Sequence, residues 1–209
     1  SNHVVGVISN APYVEMQDFK REQLADMLWC AKKLTKAFNE ADSKDIFPTL
    51  IWNYLPPSGG SIVHPHVQLL VESRAINIVE QTITRARAYK ETEGAEYFKN
   101  LIRLETTLKD RYIGSYGSTV VLAPFAPRAY NEVHIFIPGC STISDLTDRQ
   151  IGDLSIAITR VLFGYKQLGL GSFNMASVSG PVNGSEDFTL HFKLFSRPHP
   201  NGIYTNDTG

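Results

Sequence analysis

The run Val63-His-Pro-His-Val-Gln-Leu69 holds two of the chain's six histidines at a spacing that could do chemistry. Successive side chains of an extended strand point to opposite faces, so His64, His66 and Gln68 are expected on one face and Val63, Pro65, Val67 and Leu69 on the other. A neutral imidazole, with an ordinary pKa of about 6.5, is a competent nucleophile near pH 7. Its attack on phosphorus would split one displacement into two through a covalent intermediate. Gln68 can donate to a phosphoryl oxygen but cannot shuttle protons, which favours transfer to an acceptor over hydrolysis. Just upstream, Ser58-Gly-Gly-Ser61 could turn backbone N–H groups toward an anion, because Gly59 and Gly60 carry no Cβ to obstruct it. Two other readings apply to the same residues. His-x-His on one strand face is also zinc-ligand spacing, although Cys30 and Cys140 are isolated and form no Cys-x-x-Cys pair; and His64 could be a purely structural support.

The elements that must position these groups follow from periodicity. His3 to Ile8 is a β-branched run predicted as a strand, and Asp18 to Glu40 has apolar residues at helical spacing (Leu24, Met27, Leu28, Ala31, Leu34, Phe38), with Asp18 as N-cap. Phe47 to Tyr54 and Ile62 to Val71 read as strands joined by the Pro/Gly/Ser turn Leu55 to Ser61. Pro65 lacks an N–H, which puts this strand at an edge or at the beginning of a ladder. Ser73 to Asp110 is helical, broken near Gly94, with a solvated charged face carrying Arg85, Arg87, Lys90, Glu91 and Glu93.

The second half repeats the order of the first. His3 to Ser9 is echoed by Glu132 to Pro138, Asp18 to Leu24 by Asp145 to Ile151, and Pro65 to Leu70 by Leu190 to Phe195, so that His66 matches His191 and Gln68 matches Lys193. The class is therefore α+β with antiparallel pairing. Lys193 and Arg197 share a strand face and could meet a second phosphate or a sugar; Arg74 is a weaker candidate of the same kind. His3, His134 and His199 have no partner pattern and read as surface or strand residues, and Cys30 beside Trp29 reads as core.

Composition limits the partners. A formal net charge of -1, from 20 Lys and Arg against 21 Asp and Glu, argues against a nucleic-acid surface, and 43% hydrophobic residues suffice for a substantial core. No apolar stretch approaches the roughly 20 residues needed to cross a bilayer, and neither a signal peptide nor a paired-cysteine pattern is evident, so a cytoplasmic protein is expected.

In order and spacing, Asn53, Gly59, Ser61 and His64-Pro-His66-Val-Gln68 resemble the galactose-1-phosphate uridylyltransferase branch of the histidine-triad superfamily. The resemblance extends through Leu122-Ala-Pro-Phe-Ala-Pro127, Asp145-Leu-Thr-Asp148 and the strand Leu190 to Pro198. It implies two histidine-triad-like half-barrel units related by internal duplication: residues 1–73, then a helical connector over 74–111, then residues 112–209. It further implies His66 as the nucleophile that becomes nucleotidylated, Gln68 as holder of the phosphoryl oxygens, and Ser61 and Asn53 as phosphate or nucleotide contacts. Gly59, Gly60, His191 and Lys193 complete the candidate substrate-binding set. The implied reaction is ping-pong nucleotidyl transfer from a nucleotide sugar to a sugar 1-phosphate, with no organic cofactor, by a homodimer. Alternatives are a phosphorylase or adenylyltransferase of the same superfamily, or a nucleotide-binding module without turnover. Zinc is the candidate metal and His64 its candidate ligand, but Ser9-Asn-Ala-Pro-Tyr13 lacks the expected partner histidine and Glu96-Tyr-Phe-Lys99 lacks the Cys-x-x-Cys of some relatives. Thr189-Leu-His191 likewise has one histidine where the family often has two, and the segment after Pro200, with Tyr204 and Asn206, resembles the start of the family's sugar-binding loop.

Overall fold

The computed structural model describes residues 2–41, 45–184 and 187–197. Eight strands form one antiparallel sheet: β1 (Asn2–Val7), β2 (Phe47–Tyr54), β3 (His66–Glu72), β4 (Tyr112–Tyr116), β5 (Thr119–Leu122), β6 (Val133–Phe136), β7 (Ser172–Val178) and β8 (His191–Arg197). Their order across the sheet is β1-β3-β2-β7-β8-β6-β5-β4. The expected duplication is visible as a palindrome: β1-β3-β2 in the first half is mirrored by β6-β8-β7 in the second, and β2 and β7 meet at the seam. Gln68 lies opposite Ile51, Ile51 opposite Ala176 and Ala176 opposite Lys193, so the matched pair Gln68 and Lys193 flank the seam in one row. The two units share a single continuous sheet, and the β4–β5 hairpin extends only the second. The 73/74 boundary falls in the loop after β3, and the 111/112 boundary at the start of β4.

Alternation along the strands gives the sheet two faces. Trp52, Leu50, Leu69, Val71, Phe173, Met175, Phe192 and Leu194 form the floor of the main core. Helices α1 (Arg21–Ala41) and α4 (Asp148–Gln167) cover that floor with Leu24, Leu28, Leu154, Ile158 and Leu162, spaced to place one apolar stripe inward. Thr147 and Gln150 form a reciprocal capping box at the start of α4. The first helix begins later than Asp18, which lies in a single 3-10 turn, Met16–Asp18; the Lys20 N–H is instead capped by Gln23 Oε1 at 3.0 Å. Cys30 is on the exposed side of α1 rather than in the core, whereas Cys140 is buried and its thiol pKa is pushed up to about 12, burial being the main cause.

On the opposite face the two halves differ. The connector forms α2 (Asn77–Glu93) and α3 (Tyr97–Leu108), broken at Gly94, whose φ of 65° is left-handed. Arg85, Arg87, Lys90, Glu91 and Glu93 are exposed, as expected, but the inner sides of both helices pack Val79, Ala86 and Phe98 against Leu122, Phe136, Val178 and Phe188 in a second core. The connector thus covers the second half of this face, while among the described residues the first half stays open.

Candidate active site

On the open side, β3 begins at His66, four residues later than the expected Ile62, because Pro65 can give no ladder N–H. His66 and Gln68 therefore project from the strand on the uncovered face, both half-buried. His64 lies in the preceding loop, half-buried, with Nε2–H donated to the Ser9 carbonyl at 2.6 Å.

The tether of His66 decides what its ring can do. Its Nδ1 lies 2.8 Å from the His64 carbonyl oxygen, which can only accept, so Nδ1 carries the proton and the neutral ring presents an unprotonated Nε2. Gln68 is fixed by a neighbour that sequence reading placed at the surface: His3 Nε2 is 2.9 Å from Gln68 Oε1. With His3 donating, the amide oxygen is engaged and the NH₂ group is left to donate. No local signal marks His3 in this role; only the diagonal placement of β1 on β3 reveals it.

Asn53 sits one strand from His66, and Asn174 faces it across the seam. Asn174 Nδ2 donates to Asn53 Oδ1 at 2.6 Å and to the Ser58 carbonyl at 2.8 Å, while its Oδ1 accepts from Arg197 Nε at 2.6 Å. Asn174 is thus a positioning residue, invisible to motif reading because it comes from the other half.

The Ser-Gly-Gly-Ser loop is built differently from the expected cradle. Gly59 N–H bonds the Pro56 carbonyl at 2.9 Å and Gly60 N–H the Leu55 carbonyl at 3.2 Å, so both amides are engaged by the loop's own turn and do not face an anion. Gly60 is needed for another reason: a Cβ there would lie 2.7 Å from the Asn53 carbonyl oxygen. The loop is pressed onto the strand that carries Asn53. Ser61, exposed at its end, is available to a ligand.

His191, grouped above with the substrate contacts, lies away from the open face. It is 5% exposed, its Nδ1 donates to the Thr189 carbonyl at 2.9 Å, and its ring packs among Phe98, Phe136, Phe188 and His134. Burial lowers its pKa to about 3. It fills a core. His134, read as a surface or strand residue, lies on β6 and is half-buried, with Nε2 2.6 Å from Glu132 Oε1. Burial would raise the Glu132 carboxyl, yet the His134 and Arg128 hydrogen bonds and the Lys193 charge bring it to about 2. Lys193 is half-buried on the seam side, Arg74 is exposed, and His199, Tyr204 and Asn206 lie outside the described residues.

Among the described residues no three His, Cys, Asp or Glu side chains are grouped to hold a metal ion, and His64, the candidate zinc ligand, donates Nε2–H to the Ser9 carbonyl. No helix among the described residues is long and apolar enough to cross a membrane.

The fold is that of the galactose-1-phosphate uridylyltransferase-like proteins. A solved uridylyltransferase matches with a TM-score of 0.87 at 20% identity, over 97% of this chain and 65% of its own. A galactose-1-phosphate uridylyltransferase-like protein from Arabidopsis thaliana matches at 0.81 and 20% identity, over 96% and 67%. An ADP-glucose phosphorylase from the same plant, solved with bound ADP-glucose, matches at 0.80 and 19%, over 96% and 65%. In sequence, an uncharacterized protein of Archaeoglobus fulgidus is 30% identical over 164 residues, which is 78% of this chain but 48% of that protein. The chain thus spans about half of that relative and under two thirds of the uridylyltransferase. No family model matches.

Proposed function

We propose that this chain is a nucleotidyltransferase that moves a nucleoside monophosphate from a nucleotide sugar to a sugar 1-phosphate through a covalent nucleotidyl group on His66. The observation that carries this reading is the His66 tether: an Nδ1–H held by the His64 carbonyl, leaving the Nε2 lone pair on the open face beside Gln68. The Nε2 lone pair forms an N–P bond to the α-phosphorus while the P–O bond to the sugar phosphate breaks, and the sugar 1-phosphate leaves as an anion. A phosphate oxygen of the acceptor then attacks the same phosphorus and the N–P bond breaks. Nδ1 keeps its proton throughout, so no general base is needed, and the carbonyl stabilises the cationic ring of the intermediate. The Gln68 amide donates to a non-bridging phosphoryl oxygen in both steps. Asn53, held by Asn174, and Ser61 support nucleotide and phosphate placement.

The fold likeness supports a nucleotidyltransferase of this kind; a homodimer acting in the cytoplasm in galactose metabolism belongs to the same proposal. No step is routed through zinc. The likeness to a phosphorylase that binds ADP-glucose supports a second reading, in which the same intermediate is discharged to inorganic phosphate and the base is adenine.

Intact-mass measurement after incubation with UDP-glucose, and separately with ADP-glucose, without acceptor tests the proposal. The expected result is a nucleotidyl adduct that maps to His66 and disappears on adding galactose 1-phosphate; discharge by inorganic phosphate alone would select the phosphorylase reading. Nucleotide binding without an adduct from either donor would overturn the covalent mechanism and leave a binding module.

A further inference from the structure

The loop that leads the chain into His66 is held differently from its counterpart in the second half. In the second half Ile137 N–H donates to the Leu190 carbonyl at 3.0 Å, and Leu190 N–H donates in turn to the Cys140 carbonyl at 2.7 Å. In the first half Ile8 N–H donates to the Pro65 carbonyl, also at 3.0 Å, but proline has no N–H to give back. The imidazole of His64 supplies a bond there instead: its Nε2–H reaches the Ser9 carbonyl at 2.6 Å. Thr189, at the position matching His64, has no ring that could do this.

The difference in cover explains why only one half needs the side chain. Thr189, Leu190 and His191 are 8%, 0% and 5% exposed, so close packing fixes the Thr189 carbonyl that tethers His191. His64 and His66 are only half-buried, on the side that is open among the described residues, so there the tethering carbonyl has to be fixed by bonds. Two bonds to the end of β1 do so. The Pro65 carbonyl is held by Ile8 and the His64 ring by Ser9, while the Pro65 ring fixes φ between the His64 carbonyl and the start of β3. The Ser9 anchor is itself part of a turn in which Ala11 N–H donates to Ser9 Oγ at 3.1 Å.

We infer that the His64 side chain is a positioning residue for nucleotidyl transfer: by clamping onto the end of β1 it aims the His64 carbonyl at His66 Nδ1 and so holds the Nε2 lone pair toward the open face. What that lone pair does rests on the transfer chemistry proposed above; the clamp does not. The bond made by one ring nitrogen sets the state of the other, and a reacting atom displaced by about 1 Å can cost on the order of 10²-fold in rate. Because His64 acts through His66, it should govern the rate of attack on phosphorus and not the affinity for the nucleotide.

Three variants of the whole chain test the clamp. His64→Phe keeps a ring and removes the donor, His64→Ala removes both, and His64→Gln restores an N–H at a reach close to that of Nε2. One readout is the single-turnover rate of His66 adduct formation as a function of UDP-glucose or ADP-glucose concentration. The other, without substrate and at a single pH, is the tautomer of His66 from proton–nitrogen imidazole correlations, assigned by their loss in His66→Ala. His64→Phe and His64→Ala should each lower the saturating rate by about 10- to 100-fold, with less than about a threefold change in the half-saturating concentration. Both should also populate the Nε2–H tautomer of His66, whereas His64→Gln should recover most of the rate and the Nδ1–H tautomer. Equal saturating rates in wild type and His64→Phe overturn the inference. So does a His66 tautomer that is the same in those two proteins, or a His64→Gln variant that behaves like His64→Phe. If the wild type forms no adduct with either donor, the transferase reading falls, and the tautomer comparison still decides the clamp.

Discussion

His66 and His191 occupy matched positions in matched strands, and each donates Nδ1–H to the carbonyl two residues before it, at 2.8 and 2.9 Å. The backbone tether of the two rings is the same. What differs is the cover: the face around His66 is open among the described residues, and the ring of His191 is sealed by Phe98 of α3 and by Phe188 from the loop just before β8. The same tautomer that leaves a usable lone pair in one half leaves, in the other, an aromatic core residue that a phosphate cannot reach. A motif therefore specifies which ring nitrogen faces the backbone carbonyl, and the neighbouring elements specify whether the other nitrogen has any chemistry.

The largest expected break in this contrast comes from removing each ring in turn. His66→Gly should lower nucleotidyl transfer by on the order of 10³-fold or more, measured as the single-turnover rate, with the fold intact. His191→Phe, which fills the same aromatic cluster, should retain the adduct; loss of the adduct there would show that the buried ring is not merely structural. Next, Gln68→Ala should cost about 10²-fold in the same rate, since one preorganised donor to the developing charge is lost, whereas His3→Ala should cost less, because it only frees the amide to rotate.

Uncovering the second ring tests the comparison from the other side. Phe98→Ala should destabilise by about 3 kcal/mol or more in a denaturant titration, and should raise the His191 pKa toward its ordinary value, read from imidazole shifts in NMR. In the intact protein the sign of the pH effect follows from the lowered pKa. The native state holds His191 neutral, so its contribution is fully present above about pH 6.5 and is lost as pH falls toward 3, with a slope of at most about 1.4 kcal/mol per pH unit. Glu132, also lowered, loses its contribution only below about 4.5, so the interval from 6.5 to 4.5 reports on His191. His191→Phe should flatten stability across that interval; an unchanged slope would refute the assignment. The smallest effect is expected at the seam, where Asn174→Ala should cost about 1–3 kcal/mol by leaving the Ser58 carbonyl and Asn53 without their donor.

Strands β1, β2, β3, β6 and β8, the two long core helices, the break at Gly94 and the internal repeat were legible from hydrophobic patterning, whereas β4, β5 and β7, the last of them at the seam, were not read. The residues that face outward from β3 and β8 were legible in the same way. Cys30 was misread because helical spacing places it next to the buried stripe without deciding which side of the edge it takes. The glycine loop was misread because flexibility says what a backbone can do and not which carbonyls its amides will meet. His3, Asn174 and the sealing of His191 could not be read at all: each depends on which strand lies beside which, information carried by pairings between residues far apart in the chain.

The palindromic sheet makes the site's existence conditional on joining its halves. Ile51 and Ala176, the pair at the centre, belong to strands with the whole connector and the second half's first three strands between them, so their pairing is among the most non-local in the chain. His66 and its tether belong to one half, but Asn53 is oriented by Asn174 from the other. Either half in isolation would carry a histidine without its surroundings. Catalytic competence should consequently disappear in step with the cooperative unfolding of the whole sheet, which makes activity a reporter of global folding.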